Sequence, residues 1–452
     1  VEDGTGPVEL EDTYKRVTIF ARIRKWLSRG KDNGIHHMYN ISETEYGSLR
    51  NHHFIQMRAE DVHIDVNRAI GDGSYGMVFH GRYVGEEHKG LHIVAKRAKD
   101  WEGREPAQGS LTNSQLEERL EHFEQLGTAG RAGADLAVKY LEVEAYMNDL
   151  IMEVCPRAAA PYLGMALVNR SRWLVWEYIG RDTLEDVLQA CNDCQSLKPL
   201  AEAIGVNDFE DDDVTSLQRL CDVLSIQLLE CLVALEKAGV AHRDIKPLNL
   251  LACGGRVMLI DFGSAAAMGI QGRVGYDWEK CPCDPRYAPP EQFIDEIEWS
   301  KYDLYCVGLI LVRVLFPALW DGQHFDSFSD SYHNAKYDLD EWLQRLMVSD
   351  KTLAAATGVP RVRMAPMVGT QEVTRDDLYV SLAEQSCSVE DGKMALTLCG
   401  MKLGFEMLNH EGPGVCWGLL RRMLAQHPVE RISPSDALDA IRAGAAGVNQ
   451  YV

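Results

Sequence analysis

Between Val62 and Ala98, apolar and polar residues alternate in the short runs VHIDVNRAIG, GMVFHGRYV and LHIVAKRA, which are punctuated by glycine. Period-two alternation in closely spaced runs predicts strands joined as an antiparallel meander. A polar stretch from Asp100 to Ala134 interrupts the pattern and has the composition of an exposed insertion. Helical spacing takes over in LAVKYLEVEAYMNDLIMEV, RWLVWEYI reads as a further strand, and beyond it helices dominate. In SLQRLCDVLSIQLLECLVALEKAG, residues Leu217, Leu220, Leu224, Leu228 and Leu232 share one face, and the closing glycine marks a helix stop. The most apolar run, VGLILVRVLFPALW (Val307 to Trp320), is too short to span a bilayer and carries Arg313 in its middle. It therefore predicts a buried core helix. A second polar insertion is expected at about 350–403.

Residues 1–62 differ from the rest. From Thr13 to Lys31 the cations Lys15, Arg16, Arg22, Arg24, Lys25, Arg29 and Lys31 have no acidic neighbour, while Val17, Phe20, Ile23, Trp26 and Leu27 recur at near-helical spacing. Two readings stay open: a basic amphipathic helix in peripheral contact with an anionic membrane or acidic partner, or a helix packed on the main body with a solvated basic face. The chain starts with valine, which reads as a processed terminus with any targeting peptide already removed.

Composition narrows the function classes. An apolar share of 46% with 25% charged residues describes an ordered globular protein. A length of 452 residues suits two lobes with insertions, and a net charge of −22 argues against nucleic acid as a partner. Twelve cysteines without a dense framework indicate a reducing compartment and mostly free thiols. The pairs Cys191/Cys194 and Cys281/Cys283 have no second pair at zinc-site spacing and no nearby histidine. His36/His37 and His52/His53 likewise have no ligand-like context and read as structural or surface residues.

The chemistry concentrates in a few ordered motifs. IGDGSYGMVF places Ile70 before Gly71, Gly73 and Gly76, with Val78 after them. A strand rather than a helix follows the glycines, so a flap closing over phosphates fits better than a dinucleotide fold. Lys96 in IVAK lies on the third strand and needs a carboxylate to hold it; Glu144 is the candidate and Glu142 the competitor, and spacing alone leaves the choice open. HRDIKPLNLL is the strongest signal. There Asp244 can accept the proton of an incoming hydroxyl, Lys246 can neutralise a moving phosphoryl group, and Asn249 can share Mg2+ with Asp261 of LIDFG.

This ordered set closely resembles the eukaryotic protein kinase family over about residues 63–440, with the lysine two positions after Asp244 matching its serine/threonine branch. The resemblance implies an α+β, bilobal fold using ATP and Mg2+. It implies an N-lobe at 63–178 with a small antiparallel sheet and one main helix, and a larger helical C-lobe at 179–440, followed by a tail at 441–452. It also implies that Val78, Val94 and Leu251 sandwich adenine, that Glu177 and Ile179 offer hinge backbone groups, and that Trp176 is a bulky gatekeeper. Asp303 in YDLYCVG would steady the catalytic loop, and Glu291 would pair with Arg431 of HPVERIS. More narrowly, WLVWEYIGRDTL, EAYMND, DPRYAPPEQF, LVRVLFPAL, YDLDEW and GFEMLNHEGPGVCWGLLRRML resemble the chloroplast thylakoid kinases of the state-transition type, which favours Glu144 over Glu142. That likeness implies protein substrates among light-harvesting antenna and photosystem subunits, on the stromal side of the thylakoid. Members of that family carry a transmembrane helix and a lumenal cysteine pair ahead of the kinase domain; neither is visible in this sequence, and the two insertions exceed the family pattern.

The stretch CPCDPRYAPPEQF has Asp284 where many relatives carry threonine. Between Asp261 and Glu291 the only serine or threonine is Ser264, poorly placed for a switch. The expectation is a loop ordered without phosphorylation, with Arg243 meeting a fixed acid such as Asp277, Glu279 or Asp284 and no activating phosphate on Tyr276 or Tyr287. A pseudokinase-like scaffold in a larger thylakoid assembly is the alternative, motivated by the insertions and that loop. A small-molecule kinase is disfavoured by Glu291 and Arg431.

Overall fold

The computed structural model describes residues 52–72, 76–86, 89–98, 127–169, 171–211, 214–268, 283–291, 294, 297–349 and 414–445. All of them lie in one unit spanning 41–452. The basic segment at 13–31 and most of the two polar insertions fall outside the described residues.

The alternating runs form strands as their period dictates. β1 (Gln56–Met57) precedes β2 (Val62–Asp72), β3 (Gly76–Tyr83) and β4 (His92–Ala98). After α1 (Gly127–Val154) come β5 (Tyr162–Val168) and β6 (Ser171–Glu177). The sheet order is β1-β5-β6-β4-β3-β2; β2, β3 and β4 are the antiparallel meander that the alternation predicts. β1 joins β5 in parallel, which the pattern does not foreshadow, because two residues carry no period. Phe79, Ile93, Ala95, Trp173 and Val175 bury one face of the sheet.

The main helix of this lobe begins earlier than its apolar period, inside the stretch expected as insertion. GTAGRAGA has no apolar stripe to read and three glycines, so its pattern does not announce a helix. Tyr140, Leu141, Val143, Met147 and Ile151 form its buried face.

The second lobe starts with α2 (Leu184–Cys194), where Thr183 and Asp186 form a reciprocal capping box, and α3 (Lys198–Ile204). α4 (Val214–Ala238) follows with its leucine stripe buried, then β7 (Val240–Ala241), the hairpin β8 (Leu250–Cys253) and β9 (Arg256–Leu259), and β10 (Ala266–Ala267). α5 (Ser300–Leu315) is apolar on all sides and buried from Tyr302 onward, as befits a core helix. It ends five residues short of the apolar run, because Pro317 cannot continue it and Pro317–Leu319 turns as a short 3-10 segment. α6 (Gly322–Asn334), α7 (Leu339–Ser349), α8 (Trp417–Met423) and α9 (Pro434–Ala445) complete the lobe. Arg313 is 1% exposed and its charge is fully met: Glu185 accepts at 2.5 and 2.7 Å, Tyr287 Oη at 2.9 Å, and the Leu319 and Trp320 carbonyls at 3.1 and 3.0 Å.

The result is a bilobal α+β fold, with a curled sheet and one long helix on one side and a helical body on the other. Bridges Thr183↔Leu251 and Ala159↔Leu259 fasten the β8–β9 hairpin at the lobe boundary. Among the described residues no helix is long and apolar enough to cross a membrane.

Candidate active site

The site is assembled by strand register. Val78 pairs with Lys96 and Gly71 with Val78, so Gly71 of β2 and Lys96 of β4 flank the same residue of β3. A Cβ on Gly76 would sit 2.7 Å from Lys96 Cε, which is why a bare backbone is needed there. Gly73 is outside the described residues, and Ile70 is exposed at the end of β2.

Lys96 Nζ lies 2.8 Å from Glu144 Oε2 and 2.7 Å from Asp261 Oδ1. The alternative partner, Glu142, is engaged by Arg172 of β6. Two positions along a helix differ by about 200° in direction, so only one of these carboxylates faces the lysine. Burial opposes the Lys96 charge, but the Asp261 and Glu144 carboxylates outweigh it and hold the ammonium well above its ordinary value. Lys96 in turn holds the Asp261 carboxyl down at about 2, while burial pushes Glu144 up to about 7 against the pull of Lys96.

The β8–β9 hairpin brings the acidic and amide groups together. Leu250 pairs with Leu259, and at the open end Ile260 N–H donates to the Asn249 carbonyl at 3.0 Å. Asp261 therefore emerges beside Asn249. It occupies the left-handed region, φ 62°, and its side chain is 48% exposed. The Asn249 amide donates to the Asp244 carbonyl at 2.8 Å and to Asp244 Oδ2 at 3.0 Å, so both of its N–H groups are used and its Oδ1 is left as a hard acceptor.

Asp244 is held from several sides. Lys246 Nζ donates to its Oδ2 at 2.8 Å, and the Asp284 backbone N–H donates to its Oδ1 at 2.9 Å. The loop carrying it is braced from α5, where the buried Asp303 carboxylate accepts from the His242 and Arg243 N–H groups at 2.7 and 2.9 Å. That brace stabilises the left-handed backbone of Arg243, φ 67°. Burial raises the Asp303 carboxyl, with the neighbouring His242 and Arg243 opposing. Arg243 Nε donates to the Ser264 carbonyl at 2.6 Å, tying this loop to the segment after Asp261.

Val94, Leu251, Ile179 and Trp176 fall in one apolar cluster between the lobes. Glu177 closes β6 and gives its N–H to the Pro161 carbonyl, while the Ile179 carbonyl accepts from Cys253 Sγ at 3.5 Å. Trp176 is 9% exposed, lies against Tyr162 with ring centroids 5.4 Å apart, and donates from Nε1 to Asn148 Oδ1 at 3.2 Å.

A protein kinase domain model matches residues 160–440. The chain belongs to the protein kinase family. Relatives that it matches are serine/threonine-protein kinases. It is 27% identical over 239 residues to the chloroplastic serine/threonine-protein kinase STN7 of Arabidopsis thaliana, covering 46% of this chain and 41% of that protein. With the chloroplastic kinase STN8 of the same plant it shares 23% over 319 residues, 62% of this chain and 60% of that one. A probable serine/threonine-protein kinase of Streptomyces coelicolor is 37% identical over 93 residues, 20% of this chain and 14% of the relative. The chain thus spans 41% and 60% of the length of the two plant relatives. The match begins after Lys96 and Glu144, so for those two residues the geometry, through Asp261, carries the kinase assignment.

The stretch from Asp284 to Glu291 is held through both of its acids. Arg431, with its side chain fully buried, grips Glu291 through two bonds of 2.6 Å, and also donates to the Ala425 and Gln426 carbonyls. Tyr287 is 2% exposed, with its hydroxyl on Arg313, so it does not present a phosphorylatable surface. Asp284 is met by Arg286: Nε to Oδ1 at 3.0 Å and Nη2 to Oδ2 at 2.7 Å. Burial works to raise the Asp284 carboxyl, and the Arg286 guanidinium outweighs it and holds it low. Asp277, Glu279 and Tyr276, named as alternatives in sequence, lie outside the described residues.

Sequence reasoning overlooked Asn148 and Arg286. Asn148 sits one turn beyond Glu144, donates to the Glu144 carbonyl at 2.8 Å and receives the Trp176 indole; the i, i+4 spacing was the available signal. Arg286 follows Asp284 by two residues, a spacing at which an aspartate bonds its own turn. Among the described residues Cys191 and Cys194 are free thiols, as is Cys283, and no group of three or more histidine, cysteine or acidic side chains is gathered as a metal cage.

Proposed function

We propose that this chain transfers the γ-phosphoryl group of ATP to serine or threonine hydroxyls of proteins. The observation that supports this best is the continuous chain of contacts Glu144–Lys96–Asp261 across the lobes, beside an Asp244 carboxylate fixed by Lys246, Asn249 and Asp284. In this reading Lys96 orients the nucleotide phosphates and Glu144 holds Lys96 in place. Asp244 aligns the acceptor hydroxyl and takes its proton, and Lys246 offsets charge on the transferred group. Gly71, Gly73 and Gly76 let the backbone approach the phosphates, and Val78, Val94 and Leu251 pack the adenine. Hinge bonds come from Glu177 and Ile179, with Trp176 closing the space behind them.

The donor set fits a magnesium ion. A half-exposed carboxylate at Asp261 and an amide oxygen at Asn249, whose N–H groups are both spent on Asp244, are hard oxygen ligands that the β8–β9 hairpin brings together. Mg2+, when bound there, would neutralise charge on the phosphates. A scaffold without turnover is the weaker reading, because the lysine, both acids, the asparagine and the glutamate are all present and engaged.

We also propose that the acceptors are light-harvesting antenna or photosystem subunits on the stromal side of the chloroplast thylakoid. The support is the motif likeness in DPRYAPPEQF and WLVWEYIGRDTL and the two chloroplastic relatives. The test is incubation of the full chain with labelled ATP, Mg2+ and thylakoid membranes, followed by phosphosite mapping. Label on serine or threonine of antenna or photosystem proteins is expected, and its loss with Asp261→Asn while the protein stays folded. Full incorporation by Asp261→Asn would sink the assignment, and label confined to non-thylakoid acceptors would sink the substrate class.

A further inference from the structure

Asp284 stands against Asp244, and both side chains are largely buried, at 12% and 13% exposed. The contact is made by the Asp284 backbone N–H rather than by its side chain, so the position of the whole residue decides where Asp244 Oδ1 points. Asp284 is fixed on every other bonding group. Its carbonyl accepts from the Tyr287 and Ala288 N–H groups at 3.0 Å. Its carboxylate accepts the Arg286 backbone N–H at 3.1 Å and the two-pronged Arg286 guanidinium. The outer end of that guanidinium is steadied by Asp326 of α6 at 3.5 Å and lies over the Tyr287 ring.

Two nearly buried carboxylates on residues joined by that single backbone bond repel unless each is compensated. Around Asp244 the charged and titratable groups are Lys246 at 2.8 Å, Asp284, and His242, whose Nδ1 faces the Asp244 N–H at 3.4 Å. Lys246 also acts on Asp284, but it bonds directly to Asp244. The cation bonded to Asp284 is Arg286.

We infer that Arg286 is a positioning residue for phosphoryl transfer: its guanidinium compensates and clamps Asp284, so that the Asp284 N–H holds the Asp244 carboxylate in the orientation that meets the acceptor hydroxyl. The inference rests on Asp244 being the group that takes the hydroxyl proton. Losing the guanidinium leaves an uncompensated carboxylate beside Asp244, and the two move apart, taking the N–H contact with them. The Lys96–Glu144–Asp261 contacts do not involve Arg286, so nucleotide binding is untouched.

The test uses the full chain with ATP, Mg2+ and dephosphorylated casein, comparing the unsubstituted protein with Arg286→Ala, Arg286→Lys and the double variant Asp284→Asn/Arg286→Ala. Arg286→Ala is expected to lower kcat by about tenfold or more, within the range general-base alignment supplies, with KM for ATP unchanged. Arg286→Lys, which keeps the charge and loses the fork, should fall between. The double variant should regain most of the lost kcat, because it removes the uncompensated charge and keeps the backbone N–H. An Arg286→Ala protein with unaltered kcat overturns the inference, as does a loss that the double variant fails to recover. If Arg286→Ala does not fold, Arg286→Lys decides, and an unaltered kcat there overturns it. No transfer by the unsubstituted chain would overturn the kinase reading, and this inference with it.

Discussion

Lys96 keeps its charge inside the protein because Glu144 and Asp261 both reach it, and Lys96 in turn offsets the cost of burying the Glu144 carboxylate. That mutual dependence gives Lys96→Met a pH signature. Without the cation, Glu144 retains the burial that already pushes it from 4.5 up to about 7. A carboxyl whose value is raised on folding lends stability that is complete below the unfolded value and drains as pH rises through the folded one. Lys96→Met should therefore lose melting temperature between pH 6 and pH 8 more steeply than the unsubstituted chain, and Glu144→Gln in that background should flatten the slope. Thermal melts across that range check it; a parallel pair of curves would refute it. The choice of Glu144 over Glu142 shows how far residue spacing reaches: the helix was legible in sequence, but its rotation was set by Arg172 taking Glu142 and by the packing of Met147 and Ile151.

At the scale of elements, the parts that read best are those whose period and function coincide. The meander of β2 to β4 and the leucine stripe of α4 were evident because burial demands those spacings. The β1–β5 pairing and the early start of α1 were not, since the first has too few residues for a period and the second has no apolar stripe. The activation-segment end is held to α5 and the region before α9 by Arg431, whose side chain is fully buried. Removing one partner of a buried charge pair costs about 3–5 kcal/mol. Arg431→Ala should thus lower unfolding free energy by about that amount in a denaturant titration, whereas replacement of the exposed Arg345, paired among the described residues with Glu341 and the Asn334 carbonyl, should cost under about 1 kcal/mol.

At the scale of the molecule, the proposed function takes the phosphate-orienting lysine from the sheet lobe and the base and metal ligands from the helical lobe, so a bound nucleotide would stabilise both at once. ATP with Mg2+ should raise the melting temperature above that with ATP in chelator; at about 100 times Kd the gain approaches 2.7 kcal/mol. Equal melting in both conditions would contradict metal binding through Asn249 and Asp261. The sequence alone determined the order of the chemical groups, the strand and helix periods and the family, because ATP chemistry needs those residue types at those separations and burial needs those periods. The family likeness favoured Glu144, but only the tertiary structure shows that it meets Lys96 while Arg172 takes Glu142, and how a hairpin sets Asn249 beside Asp261. Tertiary structure also decided that the acid at 284 answers to Arg286. Those outcomes depend on helix rotation, strand register and turn geometry, through which distant residues compete for the same partner. The stretch DPRYAPPEQF names its residues in one dimension; only the folded chain shows that Asp284 acts on Asp244 through its backbone and on Arg286 through its charge.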